Sequence, residues 1–348
     1  MNNKTGNHKL PKQADQPVKQ RRPRLWILWV AALGIALPLG FGRVAPELPT
    51  ALPAEEPSVV PSHPQWNGYF ETQPAGAWKD LPGDEDCAER VRRSDWEPRP
   101  SNRRANNTMP DPKAVSKAFA DRPRGAHGSY DEKWNTWMLQ RVNGQHTGTT
   151  DENIQWAACK WGLSDNLLRA IAAAESTWFH YVVDPSTGLC VETRGCGDYF
   201  TEPSAAGKVF CKEISRYGHD YTEDYPPGLC PKTFSLAGVM AWQDPAWGKM
   251  KLNQNGTFPF SRDSTAFALD YIGGFLRGCQ EGWLNWLSNT GTGDYVPGDI
   301  WGCVGTWYAG SWKVPEANEY AARVRELLDE RIWLDPQWGE EYHEPYGG

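Results

Sequence analysis

Glu175 is the residue in this chain with the clearest capacity for acid–base chemistry. It lies near the end of an alanine-rich run that starts at Ser164, a residue type that caps helix N-termini. Leu168 and Ile171 share its stripe of the predicted helix, and partial burial and the helix dipole there predict a raised pKa for Glu175. A carboxylic acid protonated near neutral pH can protonate the leaving oxygen of a glycosidic bond. The alternative is a solvated glutamate at the end of an amphipathic helix.

The elements that must position Glu175 are predicted to be helices. Helical patterns cover residues 151–161, 167–177, 264–281 and 315–333, around a Cys-, Gly- and Pro-rich stretch at 184–232. Strand signals are weak, so we predict a mainly α domain over residues 151–335, large enough for one core, and a C-terminal tail over 336–348. Residues 64–150 are irregular, with short helices at 87–93, 111–119 and 135–142. We interpret them as an extended collar packed on the domain.

The N-terminal segment predicts export. Residues 1–24 form a basic tail, 25–42 an uncharged apolar run, and 43–63 a Pro-rich linker. A basic flank before such a run is typical of a signal peptide or signal anchor, and we favour an uncleaved anchor that holds the C-terminal region outside the cytoplasm. The membrane is therefore an expected partner through residues 25–42.

Charge and cysteine content agree with export. The chain has net charge −7, and residues 1–43 hold eight basic side chains and one acidic, so residues 44–348 carry −14. This charge argues against nucleic acid as a partner. Eight cysteines, all after the apolar run, predict disulfides, and the absence of C-x-x-C and H-E-x-x-H motifs leaves no predicted metal or cofactor site. The pairings we favour join neighbours in sequence, namely Cys190 with Cys196, Cys211 with Cys230, and Cys279 with Cys303.

Tryptophan is abundant, with 19 residues in the chain. Indole rings mostly fill cores, but a subset can stack on the C–H faces of sugars. The candidates for such a subset, because they lie beside other candidate site residues, are Trp178, Trp242, Trp307 and Trp312.

Three motifs in order resemble the soluble lytic transglycosylase and goose-type lysozyme branch of the lysozyme-like superfamily. Glu175-Ser176 resembles the Glu-Ser signature of that branch, and residues 238–241 (Gly-Val-Met-Ala) resemble its Gly-Leu-Met-Gln loop. Residues 307–310 (Trp-Tyr-Ala-Gly), with Tyr320 and Val324 after them, resemble its Ala-Tyr-Asn-Ala-Gly turn and the helix that follows. The resemblance covers residues 154–333, about half of the chain.

The resemblance implies a disulfide-braced, lysozyme-like helical domain that cleaves peptidoglycan glycan strands. Glu175 would protonate the oxygen between N-acetylmuramic acid and N-acetylglucosamine. The residues that would bind substrate are Ser176, Trp178, Met240, Gln243, Trp307 and Tyr308. The chain departs from the pattern in that Ala241 replaces the motif Gln, with Gln243 two residues on, while Trp307 and Tyr308 replace Tyr and Asn.

The motifs are compatible with three functions. A transglycosylase needs no second enzyme carboxylate, because the muramoyl 6-hydroxyl attacks and a 1,6-anhydro product results. A hydrolytic lysozyme needs a second carboxylate to position water. The candidates for that role are Asp184, Asp198, Asp244 and Asp263. A catalytically weak or inactive cell-wall scaffold is the third. The motifs favour the transglycosylase.

Overall fold

The computed structural model describes residues 68–121, 131–197, 199–201, 229–241 and 255–339. This part of the chain is mainly helical with few strands, as predicted. No helix within it is both long and apolar enough to cross a membrane. The predicted basic tail, apolar run and linker lie outside the described residues.

The α-helices are, in chain order, α1 Asp84–Arg90, α2 Arg103–Asn106, α3 Pro112–Asp121, α4 Leu139–Arg141, α5 Thr150–Trp161, α6 Asp165–Ser176, α7 Phe260–Asp263, α8 Thr265–Gln280, α9 Ile300–Ala309 and α10 Pro315–Glu330. A π-helical turn, Trp134–Met138, precedes α4. The 3₁₀ turns are Ala77–Asp80, Pro100–Asn102, Glu192–Arg194, Asn285–Asn289, Ile332–Leu334 and Pro336–Gly339. The helices predicted over 151–161, 167–177, 264–281 and 315–333 are thus present with small shifts at their ends.

The strands form three antiparallel pairs among the described residues. They are β1 Val183–Asp184 with β2 Leu189–Cys190, β3 Tyr199–Thr201 with β4 Leu229–Pro231, and β5 Thr233–Phe234 with β6 Val239–Met240. In the last pair Thr233 lies opposite Met240 and Phe234 opposite Val239, so residues 235–238 form a tight turn. This turn ends at Gly238, the first residue of the second of the three sequence motifs.

Helix α6 begins and ends where local chemistry requires it. The Ser164 hydroxyl accepts a hydrogen bond from the Leu167 amide at 3.4 Å, which satisfies one free N–H of the first turn. Thr177 ends the helix in the left-handed region with φ 53°. The helix is buried along nearly its whole length, with Glu175 half-buried near its last turn. The predicted cap and helix are confirmed.

The collar shares one hydrophobic core with the helical domain. Helix α6 packs on α5 and α10, α8 packs on α5 and α9, and α9 packs on α10. Collar side chains that are buried in this same core include Val91, Trp96, Val115, Phe119, Trp134 and Met138. The described part of the collar is therefore part of the same folded unit rather than a layer added on its outside.

Polar contacts bind the collar to the start of α6. The Asp165 carboxylate accepts from the backbone amides of Tyr69 at 3.0 Å and Phe70 at 3.1 Å. The same carboxylate pairs with Arg169 at 2.6 Å, and Arg169 also pairs with Asp151 at 2.7 Å. Because both ionic groups of each pair are buried, removing one partner would leave an uncompensated charge in the core.

The predicted boundary between the domain and the C-terminal tail, at residue 335, is too early in the chain. Trp338 is 4% exposed and lies in the core. Its carbonyl accepts from the Arg99 guanidinium at 2.6 Å, and that guanidinium also donates to the Thr177 carbonyl at 2.8 Å. The folded unit therefore extends beyond residue 335. Burying the large apolar indole of Trp338 stabilises this packed position of the chain over an exposed tail.

Disulfides agree with two of the predicted pairings. Cys190 bonds Cys196 beside the β1–β2 hairpin, and Cys279 at the end of α8 bonds Cys303 in α9. A bond that was not predicted joins Cys87 of α1 to Cys159 of α5. The proposed partner of Cys230, Cys211, lies outside the described residues.

Candidate active site

Glu175 receives a hydrogen bond from the last helix of the domain. The phenol of Tyr320, in α10, donates to its Oε1. Tyr320 is itself buried, and burial together with the neighbouring Glu175 carboxylate raises its pKa well above the usual value. The phenol therefore stays protonated, and it stabilises the charged form of the carboxylate, opposing the effect of burial. The sequence motif contained Tyr320 but did not predict this role.

The turn between β5 and β6 lies against the other oxygen of Glu175. Gly238 has φ 61°, a left-handed conformation that favours glycine, and a Cβ atom placed on it would overlap Glu175 Oε2. The glycine of the second motif thus allows the backbone to approach the carboxylate. A bulkier residue would push the carboxylate away.

The third motif completes the surroundings of this turn. The Trp307 indole N–H donates to the Ala237 carbonyl at 3.0 Å. Its ring packs edge-on against Phe275, with centroids 4.9 Å apart. Tyr308 stacks on Tyr320, with centroids 4.8 Å apart and planes only 4° from parallel. The three motifs, far apart in sequence, therefore meet around one carboxylate.

Left-handed backbone occurs at three non-glycine residues that follow Glu175 or lie in the β5–β6 turn. Thr177 and Trp178, directly after α6, have φ 53° and 67°, and Ser235 in the β5–β6 turn has φ 78°. Such conformations cost about 1–3 kcal/mol each and concentrate at functional sites. The Ser235 amide is held by the Gly195 carbonyl at 2.8 Å, so the fold maintains this conformation.

Several predicted substrate contacts have structural roles instead. Trp178 is fully buried, donates to the Arg169 carbonyl at 2.9 Å and packs edge-on against Trp96, so the prediction that it contacts substrate is wrong. Ser176 is 4% exposed and donates to the Phe179 carbonyl at 2.7 Å, which likewise removes it from a substrate surface. The two left-handed residues turn the chain back into the core after Glu175.

The remaining predicted residues divide between the site, the core and the segments that are not described. Tyr308 is 61% exposed and Trp307 is half-buried at the site. Met240 is half-buried in β6, and its carbonyl accepts from Thr257 at 2.9 Å. Trp312 is fully buried and donates to the Asp294 carbonyl, so it does not line a cleft. Gln243 and Trp242 lie outside the described residues.

Two of the four candidate second carboxylates are described, and each is bound locally. Asp184 accepts from the Ser186 hydroxyl at 2.6 Å and from its amide at 2.7 Å, and these hydrogen bonds lower the pKa of Asp184. Asp263 pairs with Arg262 at 2.7 Å. Asp198 and Asp244 lie outside the described residues. Among the described side chains, no group of three His, Cys, Asp or Glu residues is arranged to hold a metal ion.

Comparisons with known proteins give no match. No family model matches this chain, and neither a curated protein nor a solved structure is detectably similar to it. The motif residues and their arrangement around Glu175 therefore carry the functional argument.

Proposed function

We propose that this protein cleaves peptidoglycan glycan strands, with Glu175 as the general acid and base. The observation that carries the proposal is the convergence of three motif segments on one half-buried carboxylate. Tyr320 donates to Oε1, Gly238 lies against Oε2, and Trp307 bonds the turn that contains Gly238. An ordinary glutamate at a helix end would be expected to project freely into solvent.

The proposed reaction is that of a lytic transglycosylase. Glu175 donates its proton to O4 of N-acetylglucosamine as the bond from C1 of N-acetylmuramic acid breaks. The muramoyl 6-hydroxyl then bonds to C1, and its proton returns to the Glu175 carboxylate, so that the acid is regenerated. Asp184 and Asp263 are held by Ser186 and Arg262. Of the candidate second carboxylates that the structure describes, neither is free of a local partner, and with the motif pattern this favours the route that needs only Glu175.

Two positions in the same site favour a second candidate, a wall-binding scaffold with weak or no catalysis. Ala241 stands where the motif has Gln, and its methyl group is fully buried. Tyr308 stands where the motif has Asn. The side-chain amides that the motif would supply at these two positions to orient a substrate are therefore missing, although Glu175 is present.

Digestion of purified peptidoglycan separates these candidates. The full-length chain and its Glu175→Gln variant would be incubated with the polymer and the products analysed by mass. Anhydro-muropeptides from the wild type alone would support the transglycosylase, and products heavier by one water would indicate a lysozyme. If both proteins bind the wall but release no products, the scaffold function is supported. If neither binds nor releases products, both proposed functions are refuted.

A further inference from the structure

Tyr308 presents an aromatic ring to solvent at the edge of the Glu175 site. Its side chain is 61% exposed, more than the exposed apolar residues Met109 (54%) and Val296 (51%). A single exposed hydrophobic residue is ordinary on a protein surface and does not mark a site. What sets Tyr308 apart is its support, because its ring lies parallel to the buried ring of Tyr320.

This support fixes Tyr308 relative to the proposed acid. Tyr320 holds its own position through burial and through its hydrogen bond to Glu175. Because Tyr308 is already held against this ring, it loses little conformational freedom when a ligand covers it. Less of the binding free energy of the ligand is then lost in ordering the side chain. The exposed ring is therefore linked to the Glu175 carboxylate through Tyr320, which contacts both.

The chemistry of an exposed ring selects a particular kind of ligand. The face of an aromatic ring is negative, and the C–H groups on one face of a pyranose are weakly positive, so the two faces attract each other as well as burying apolar surface. Residues 44–348 carry a net charge of −14, which disfavours an anionic group over a neutral one. Of the two sugars of peptidoglycan, N-acetylglucosamine is the one without a lactyl group, to which the stem peptide with its carboxylates is attached.

We propose that Tyr308, supported by Tyr320, is the stacking platform for the N-acetylglucosamine ring next to the bond that Glu175 cleaves. This inference rests on the proposed function and adds the residue that holds one sugar. The ring takes over the positioning that a hydrogen-bonding Asn would provide at this place in the motif. Apolar contact between the Tyr308 ring and the sugar then replaces the hydrogen bond that the Asn side chain would make.

Calorimetric titration with an N-acetylglucosamine trimer tests the platform. The full-length chain carrying Glu175→Gln would be compared with the same chain that also carries Tyr308→Ala, Tyr308→Phe or Met109→Ala. We expect Tyr308→Ala to weaken binding about tenfold, whereas Tyr308→Phe, which keeps the ring, should stay within about twofold of its parent. Met109→Ala, the control for loss of an exposed apolar side chain, should bind as its parent does.

The outcomes separate this inference from the proposed function. Unchanged binding in Tyr308→Ala, an equal loss in Tyr308→Phe, or no binding by any of these proteins would overturn the platform. If the wild type cleaves peptidoglycan in a Glu175-dependent way while Tyr308→Ala binds normally, only the platform falls. If nothing is cleaved but binding depends on the Tyr308 ring, the platform stands and the proposed reaction falls. Thermal melts confirm that each variant is folded.

Discussion

Replacing Tyr320 by Phe removes one hydroxyl from the site and leaves the ring stacked beneath Tyr308. That hydroxyl donates to Glu175 Oε1. A hydrogen bond to a charged group is worth about 1.5–3 kcal/mol. Because Glu175 is only half-buried, we take the lower figure. The bond exists chiefly with the carboxylate form, so its loss should shift the titration of Glu175 to higher pH by the amount that corresponds to this free energy.

The shift can be measured with or without catalysis. Carbon-13 NMR of the glutamate side-chain carboxyls, with Glu175→Gln used to assign the resonance, gives the titration midpoint directly. In a peptidoglycan assay, the basic limb of the pH profile, which reports loss of the proton from the acid, should move upward by the same amount. Tyr308→Phe is the matched control, because it removes a phenol from the neighbouring ring. An unchanged midpoint in Tyr320→Phe, or a shift to lower pH, would refute the assigned hydrogen bond.

Three further predictions concern the surroundings of the site. Gly238→Ala should cut glycan cleavage by about a hundredfold, because the added methyl group displaces the Glu175 carboxylate. Gly188→Ala is the control, since Gly188 has a similar φ of 68° but no atom within 4 Å of an added Cβ, and it should leave the rate unchanged. Equal rates in the two variants would argue against the contact between Gly238 and Glu175. Trp178→Ala should lower the free energy of unfolding, measured in denaturant, by about 3–5 kcal/mol, because it leaves a cavity in the core. A variant that is as stable as the wild type but loses glycan binding would instead show that Trp178 contacts substrate. Burial lowers the pKa of His180 from 6.5 to about 4. Between these two pH values the unfolded chain binds more protons than the folded one. The free energy of unfolding should therefore fall by about 3 kcal/mol as the pH drops from 6.5 to 4. His180→Gln should flatten this dependence in denaturant titrations, and an unchanged slope would contradict it.

The helix that carries Glu175 was predictable because its signals are local. Ser164 caps it, alanines favour it, and apolar residues recur at helical spacing, all within one short segment. Cys190 and Cys196 are equally local, being six residues apart. The bond from Cys87 to Cys159 spans 72 residues and depends on how the collar packs, so no spacing rule points to it.

Trp178 shows why the composition of the site could not be deduced from proximity in sequence. It follows Glu175 by three residues, yet two successive left-handed residues turn the chain inward and bury its indole. Such conformations are rare outside glycine, and neither Thr177 nor Trp178 indicates one by residue type. Tyr320, by contrast, lies 145 residues after Glu175 and reaches its carboxylate only through the packing of α10 on α6.

The order of synthesis gives the buried Arg99 contacts a further consequence. Its guanidinium bonds the Thr177 carbonyl behind Glu175 and the Trp338 carbonyl near the end of the described chain. Tyr320, the donor to Glu175, is also made 145 residues after it. A nascent chain therefore holds its proposed acid long before it holds the groups that orient that acid. The site can assemble only after residue 338 has been made, which delays any activity until that point of synthesis.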